Sequence, residues 1–197
     1  MKKILLTIAL GLGLLTANAQ IEKLAGPRLR FTFISPGPIA DFLHDGFDFD
    51  GDEEKHGSTG SAMTTLYGWQ WESRFADGGG QIVGIVEWIV LVGGMEKGMF
   101  LPSASSIIGA RMDNGLEFGV GPNLSLSGIG MVFGVGYNFK SGALNLPVSI
   151  SFIPGKAMTG TIDHHDDDYN NHWEEEYEYN TGTRIAITLG FNMNKGR

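Results

Sequence analysis

Toward its C-terminus the chain alternates strictly. Ile185, Ile187, Leu189, Phe191 and Met193 are apolar, while Arg184, Ala186, Thr188, Gly190 and Asn192 between them are small or polar. A two-residue period gives an extended strand two different faces. Three segments further back repeat it. Leu144, Leu146, Val148, Ile150 and Phe152 alternate with Asn145, Pro147, Ser149 and Ser151. Ile129, Met131, Phe133, Val135, Tyr137 and Phe139 alternate with a glycine-rich set that ends in Asn138 and Lys140. Leu116, Phe118, Val120, Leu124 and Leu126 alternate with Gly115, Glu117, Gly119, Gly121, Asn123 and Ser125. Residues 29–35, 66–75, 81–94 and 100–112 are predicted strands of less regular pattern, and 81–94 is apolar on both faces apart from Glu87. The pattern therefore predicts eight strands.

The connections fall into two classes. Residues 77–80, 113–115 and 141–142 are short hairpin turns, and they alternate along the chain with 36–63, 93–99, 127–128 and 154–182. Two of the second set are long. Face parity predicts a three-residue turn at Asp113-Asn114-Gly115, with Gly115 left-handed and Arg111 opposite Glu117 on the polar face. A two-residue turn at Ser141-Gly142 would pair Phe139 with Leu144. Short turns at one end, long loops at the other and an even strand count predict an all-β fold, an eight-stranded antiparallel up-and-down transmembrane β-barrel. Closure leaves no strand edge unpaired in lipid.

The two faces differ in a way that favours lipid over water outside. The apolar face is uncharged, with Tyr67, Phe75, Tyr137 and Phe139 near strand ends, as interfacial girdles require. The other face carries Arg30, Glu72, Arg74, Glu87, Arg111, Glu117, Lys140 and Arg184 among many small residues, which suits a narrow lumen filled by side chains. Arg111–Glu117 and Arg30–Glu72 are expected to form a buried ionic network there. The alternative, a soluble periplasmic lipocalin-like barrel with a small hydrophobic ligand, would turn the apolar face inward.

The chain resembles the small eight-stranded outer-membrane barrels of Gram-negative bacteria, the class of the OmpA transmembrane domain and OmpX. It is also similar to uncharacterised barrel proteins of the Bacteroidota in Tyr67-Gly68-Trp69-Gln70-Trp71-Glu72, in residues 115–125 (GLEFGVGPNLS) and in Gly190-Phe191-Asn192. The resemblance covers most of residues 29–193 and implies architecture and export rather than an activity. The C-terminal tail, residues 194–197, lacks the terminal aromatic typical of proteobacterial members.

The N-terminus fits export to the cell outer membrane. Lys2 and Lys3 precede an apolar run from Ile4 to Leu15, and Ala17-Asn18-Ala19 offers a small-x-small cleavage site, so residues 1–19 read as a signal peptide. Residues 20–28 then form a periplasmic segment before the barrel of 29–193. Cysteine is absent, which excludes disulfides, thiol chemistry and a lipoprotein anchor. Glycine numbers 30 of 197, well above the usual share of about 7%.

The net charge of −8 resides in the two long loops. The first holds Asp48, Asp50 and Asp52; the second holds His164, His165, Asp166, Asp168 and His172. All five histidines lie in these loops. Oxygen-rich clusters suit Ca²⁺ or Mg²⁺, and imidazoles suit Zn²⁺, Ni²⁺ or Cu²⁺, so these residues are the metal candidates. Residues 48–52 fail the EF-hand pattern, because Gly46 and Gly57 occupy required ligand positions. No resident cofactor is expected, only loosely held divalent cations at most. An acidic surface disfavours nucleic acid and favours cationic surface partners. His56-Gly57-Ser58 has the His-x-Ser spacing of barrel lipid A deacylases, but it sits in a Gly/Ser-rich loop where nothing holds a base against the nucleophile. A pore is disfavoured because eight strands leave little lumen beyond side chains. The expectation is a monomeric, non-enzymatic barrel in outer-membrane lipid. It displays acidic loops for envelope structure, adhesion or recognition. The alternative is a surface divalent-cation binder.

Overall fold

The computed structural model describes residues 24–45, 60–77, 82–141, 144–166 and 171–193. The proposed signal peptide and C-terminal tail lie outside them, as do Asp48, Asp50, Asp52 and Asp168. Seven strands follow one another as antiparallel neighbours: β1 (Leu24–Ile34), β2 (Ala62–Asp77), β3 (Ile82–Gly93), β4 (Leu101–Met112), β5 (Leu116–Ser125), β6 (Gly128–Ser141) and β7 (Leu144–Ile153). A hairpin, β8 (Ala157–Asp166) with β9 (Asn171–Asn180), stands apart as a two-stranded ribbon. β10 (Arg184–Gly190) then pairs with both β7 and β1, and β11 (Asn192–Met193) continues it along β7. Taking β10 and β11 as one strand, the sheet is a closed eight-stranded antiparallel barrel.

The register sorts side chains as the alternation predicts. No Asp, Glu, Lys or Arg occupies an outward position among the described barrel side chains. Trp69, Trp71, Trp88, Phe118, Phe133, Phe152, Ile185 and their neighbours stand exposed around the wall. Trp71 lies directly opposite Trp88, and Tyr137 packs on Phe139 with ring centroids 4.7 Å apart. Inward positions hold nearly all the buried polar side chains. The sheet is drawn tight in places: a Cβ added at Gly121 would sit 1.8 Å from the Ser106 carbonyl oxygen. Such approaches account for part of the glycine surplus.

Several boundaries differ from the sequence expectation. β1 begins at Leu24, so residues 24–28, expected as a periplasmic segment, belong to the wall. Pro27 interrupts the pattern there, but it lies beyond the last β1–β10 pair and faces Phe191 at the break between β10 and β11, where a missing N–H costs little. The β6–β7 register pairs Ser141 with Leu144 and Phe139 with Leu146, a shift of two residues that preserves the face parity. The turn expected at Ser127-Gly128 is Leu126-Ser127, because Ser125 pairs with Gly128. At the β4–β5 turn Arg111 does lie opposite Glu117; Gly115 has φ 96° and its N–H donates to the Met112 carbonyl at 2.9 Å.

The two long loops are not structureless where they are described. Residues 38–45 of the first form α1 (Pro38–Asp45), and the second folds into the β8–β9 ribbon. α1 lies over the loop end of the barrel. Its Ala40 and Leu43 are buried against Ile34, Ala62 and Met99. Lys97, in a short 3-10 turn (Met95–Lys97), donates its ammonium to the Leu43 carbonyl, and His44 Nε2 lies 3.2 Å from the Ser61 carbonyl oxygen. The ribbon is tied to the wall at its base: Lys156 N–H donates to Thr181 Oγ1 at 3.0 Å, and Ser35 N–H donates to the Thr183 carbonyl at 2.9 Å.

Candidate functional site

The lumen is layered. At the turn end lies a charge network. Arg111 Nε donates to Glu117 Oε1 at 2.5 Å, and its NH1 donates to Glu72 Oε1 at 2.6 Å. Arg111 NH2 reaches the second Glu72 oxygen, making that contact two-pronged. A relay runs beside it: Arg28 Nε donates to Gln70 Oε1 at 2.8 Å, and Gln70 Nε2 donates to Glu87 Oε1 at 2.6 Å. Glu72 and Glu87 are direct cross-strand partners. Like charges in that position repel, and Arg111 on Glu72 with Gln70 on Glu87 offset the repulsion. Asn138 and Asn145 add a bond of 3.0 Å.

Above this layer Leu66, Ile89, Leu91, Ile107, Val132 and Ile153 form a buried apolar cluster inside the barrel. They explain why residues 81–94 read as apolar on both faces. One face meets the outside, and the other, through Ile85, Ile89 and Leu91, fills the bore.

At the loop end the lumen changes sign. Arg30 donates its Nε to Thr188 Oγ1 at 2.9 Å, and Arg184 donates NH1 to Ser125 Oγ at 2.9 Å. Both are buried, and among the described residues neither forms an ion pair with a carboxylate. The expected Arg30–Glu72 pair is therefore not formed. Arg30 registers with Leu66, six residues up β2 from Glu72, and Arg111 from β4 takes Glu72 instead.

Of the eight lumen positions named from sequence, Glu72, Arg111 and Glu117 come together, and Glu87 joins through Gln70. Arg184 lies toward the other end, and Arg30 lies between, lining one cavity with Glu87 and Glu117 and another with Arg184. Arg74 is half-buried at the turn end, and Lys140 is exposed there. Sequence reasoning missed Arg28 by starting β1 too late. The signal was present, since Gly26, Arg28 and Arg30 share one parity. Gly190 was missed too: a Cβ there would lie 2.3 Å from Arg28 NH1, so this glycine makes room for the guanidinium.

The metal candidates separate. In the β8–β9 register His165 lies opposite His172, Asp163 opposite Glu174, His164 opposite Trp173 and Asp166 opposite Asn171. Among the described residues no group of three or more His, Asp or Glu is placed to hold a metal ion. Glu96, in the 3-10 turn at the loop end, accepts hydrogen bonds from Thr64 Oγ1 at 2.9 Å and Thr65 N–H at 3.1 Å. Partial burial pushes its carboxyl upward. These bonds, its own backbone N–H and nearby Lys97 outweigh that and hold it below its ordinary value.

No protein-family model matches the sequence, and no curated protein is significantly similar to it. Among solved structures, the chain is similar to OmpT, an outer membrane protein of Vibrio cholerae, at 8% identity and a TM-score of 0.25. The match covers 67% of this chain and 42% of that one, so the chain spans less than half the length of the protein it matches.

Proposed function

We propose that this chain is a non-enzymatic β-barrel of a Gram-negative outer membrane, exported by its N-terminal segment and displaying acidic loops at the cell surface for envelope structure, adhesion or recognition of a cationic partner. The observation that carries this reading is the outward face: a continuous belt of exposed apolar and aromatic side chains without a charge, on a closed sheet whose polar groups are turned inward. In water such a surface would be a large aggregation liability, whereas lipid is its matched solvent. Barrel strands of at least ten residues, with β10, Phe191 and β11 counted together, suffice for a tilted crossing. The test is gel mobility of the detergent-extracted envelope fraction, unboiled against boiled. A shift on heating is expected from a closed membrane barrel. Recovery of the protein in the soluble periplasmic fraction with no shift would refute the reading.

A second reading, a surface divalent-cation binder, is supported by the ribbon register. In that register His165 is the partner of His172 and Asp163 the partner of Glu174. Opposed like charges destabilise a ribbon unless a cation offsets them. Zinc titrated into purified protein should give binding heat well below millimolar concentration, and His165→Ala with His172→Ala should abolish it. Absence of heat in the parent protein removes this reading.

A further inference from the structure

The cavity beneath α1, lined by Ile39, Phe42 and Leu43, lies within the bore. A different hollow opens on the rim at the turn end, where neighbouring strands stop at different heights. β5 begins at Leu116, opposite Tyr137, whereas β6 runs on to Ser141 with β7 as its partner. Asn138, Phe139 and Lys140 therefore overrun β5. With the turn Asp113-Asn114-Gly115 they line a notch of about 280 Å³. The turn is held in shape by its own bonds. Gly115 N–H donates to the Met112 carbonyl at 2.9 Å, Leu116 N–H donates to Asn114 Oδ1 at 3.0 Å, and Asn138 N–H donates to the Gly115 carbonyl at 2.7 Å. The notch is thus preformed. Two exposed charges of opposite sign line it, Asp113 from the turn and Lys140 from β6. Among the described residues they form no ion pair with each other. Tyr137 and Phe139 border the same notch and stand exposed on the outer face, their ring centroids 4.7 Å apart.

We propose that this notch binds the phosphoethanolamine headgroup of a membrane lipid. The phosphate accepts from Lys140 Nζ, the headgroup ammonium donates to the Asp113 carboxylate, and the acyl chains run down the wall past Tyr137 and Phe139. The proposal rests on the membrane reading, which puts the short turns on the periplasmic side and these two rings at the level of the headgroups. Two opposite charges that share a notch without pairing match a ligand carrying both signs. Phosphatidylglycerol would satisfy Lys140 but is repelled by Asp113. Phosphatidylcholine has no N–H to give to Asp113 and forgoes that charge-assisted bond. Size agrees: one water takes roughly 30 Å³ in the liquid, so 280 Å³ admits roughly nine non-hydrogen atoms, about a phosphoethanolamine group. Exposed charge contacts are individually weak. Here they act on a headgroup already held close, because its chains lie against the apolar belt and raise its effective concentration.

The test uses the full mature chain in detergent micelles doped with equal parts of phosphatidylethanolamine, phosphatidylglycerol and phosphatidylcholine of one acyl composition. Native mass spectrometry counts the lipid that stays bound. Phosphatidylethanolamine should be retained severalfold over the other two. Lys140→Gln and Asp113→Asn should each cut that preference about threefold or more, the scale of one exposed contact between charged groups. Asp113→Lys should turn the preference toward phosphatidylglycerol, a change that loss of structure would not produce. These substitutions lie on the rim, and the heat shift on a gel reports whether each variant is folded. Free phosphoethanolamine should not displace the lipid, because it lacks the chains that the belt holds; displacement at equal concentration would assign the notch to a soluble ligand and overturn the lipid assignment. Retention without preference among the three lipids, or an unchanged preference in Asp113→Lys, would overturn the proposal. A parent protein with the gel shift but no lipid preference fails on the notch alone. Absence of the shift sinks the membrane reading and the notch with it.

Discussion

Arg111 shows how a single buried charge organises its surroundings. Its guanidinium is 2% exposed and serves carboxylates from two other strands, Glu72 on β2 and Glu117 on β5. Isolated surface pairs contribute little to stability, but a buried pair is mutually dependent, since either partner alone is left charged and desolvated. Arg111→Met leaves Glu72 facing Glu87 with no cation on it, and is expected to cost about 3–5 kcal/mol. Arg111→Met with Glu72→Met together should recover much of that loss. The midpoint temperature of the gel-mobility shift measures both. Equal midpoints for the single variant and the parent would mean that the network does not brace the barrel. The Arg111–Glu117 contact was legible from parity and turn length alone. Glu72 as the second partner was not, because it depends on which strand crosses above β3 in the closed sheet.

At the scale of elements, the turn Met95–Lys97 joins the barrel to its cap. Lys97 holds the end of α1 through the Leu43 carbonyl, and Glu96 holds β2 through Thr64 and Thr65. The Glu96 carboxyl is held below its ordinary value, so its contribution is fully present above the unfolded pKa of about 4.3 and is lost as pH falls through the lower folded value. Protection of the Thr65 amide against hydrogen exchange should therefore fall in the acid range, relative to the intrinsic exchange rate. Glu96→Gln should flatten that dependence; identical pH profiles in the two proteins would refute the coupling. The sequence placed all of this in loops. Eight residues of α1 make too short a pattern to distinguish from loop, and the helix persists because Ala40 and Leu43 find a buried surface at the barrel mouth. The β8–β9 ribbon was hidden for another reason: its acidic run lacks the apolar alternation that marks a half-buried strand.

For the whole molecule, closure and filling matter together. β10 meets both β1 and β7, so no barrel edge is free to recruit another chain. The bore this closure creates is occupied in turn by a charge network, an apolar cluster and a cap. A purified barrel in a planar bilayer should accordingly show no stepwise conductance. Regular open steps would mean that the apolar cluster or α1 gives way under voltage. The axial division of charge, carboxylates gathered with arginines at one end and Arg184 without one toward the other, exists only once eight strands have brought distant positions to common heights.

Period-two alternation by itself determined the eight strands, the face each residue takes and the uncharged outer belt. In an extended chain the side-chain direction is a local property of the backbone, and it survives whatever the strand pairs with. Turn parity extended this to Arg111 and Glu117, because a hairpin is still local. Tertiary structure alone decided the partners of Glu72 and Arg30, the cap and the cavity beneath it. Each of these depends on stagger around the closed sheet and on which side chains meet across the lumen, quantities that no single strand carries.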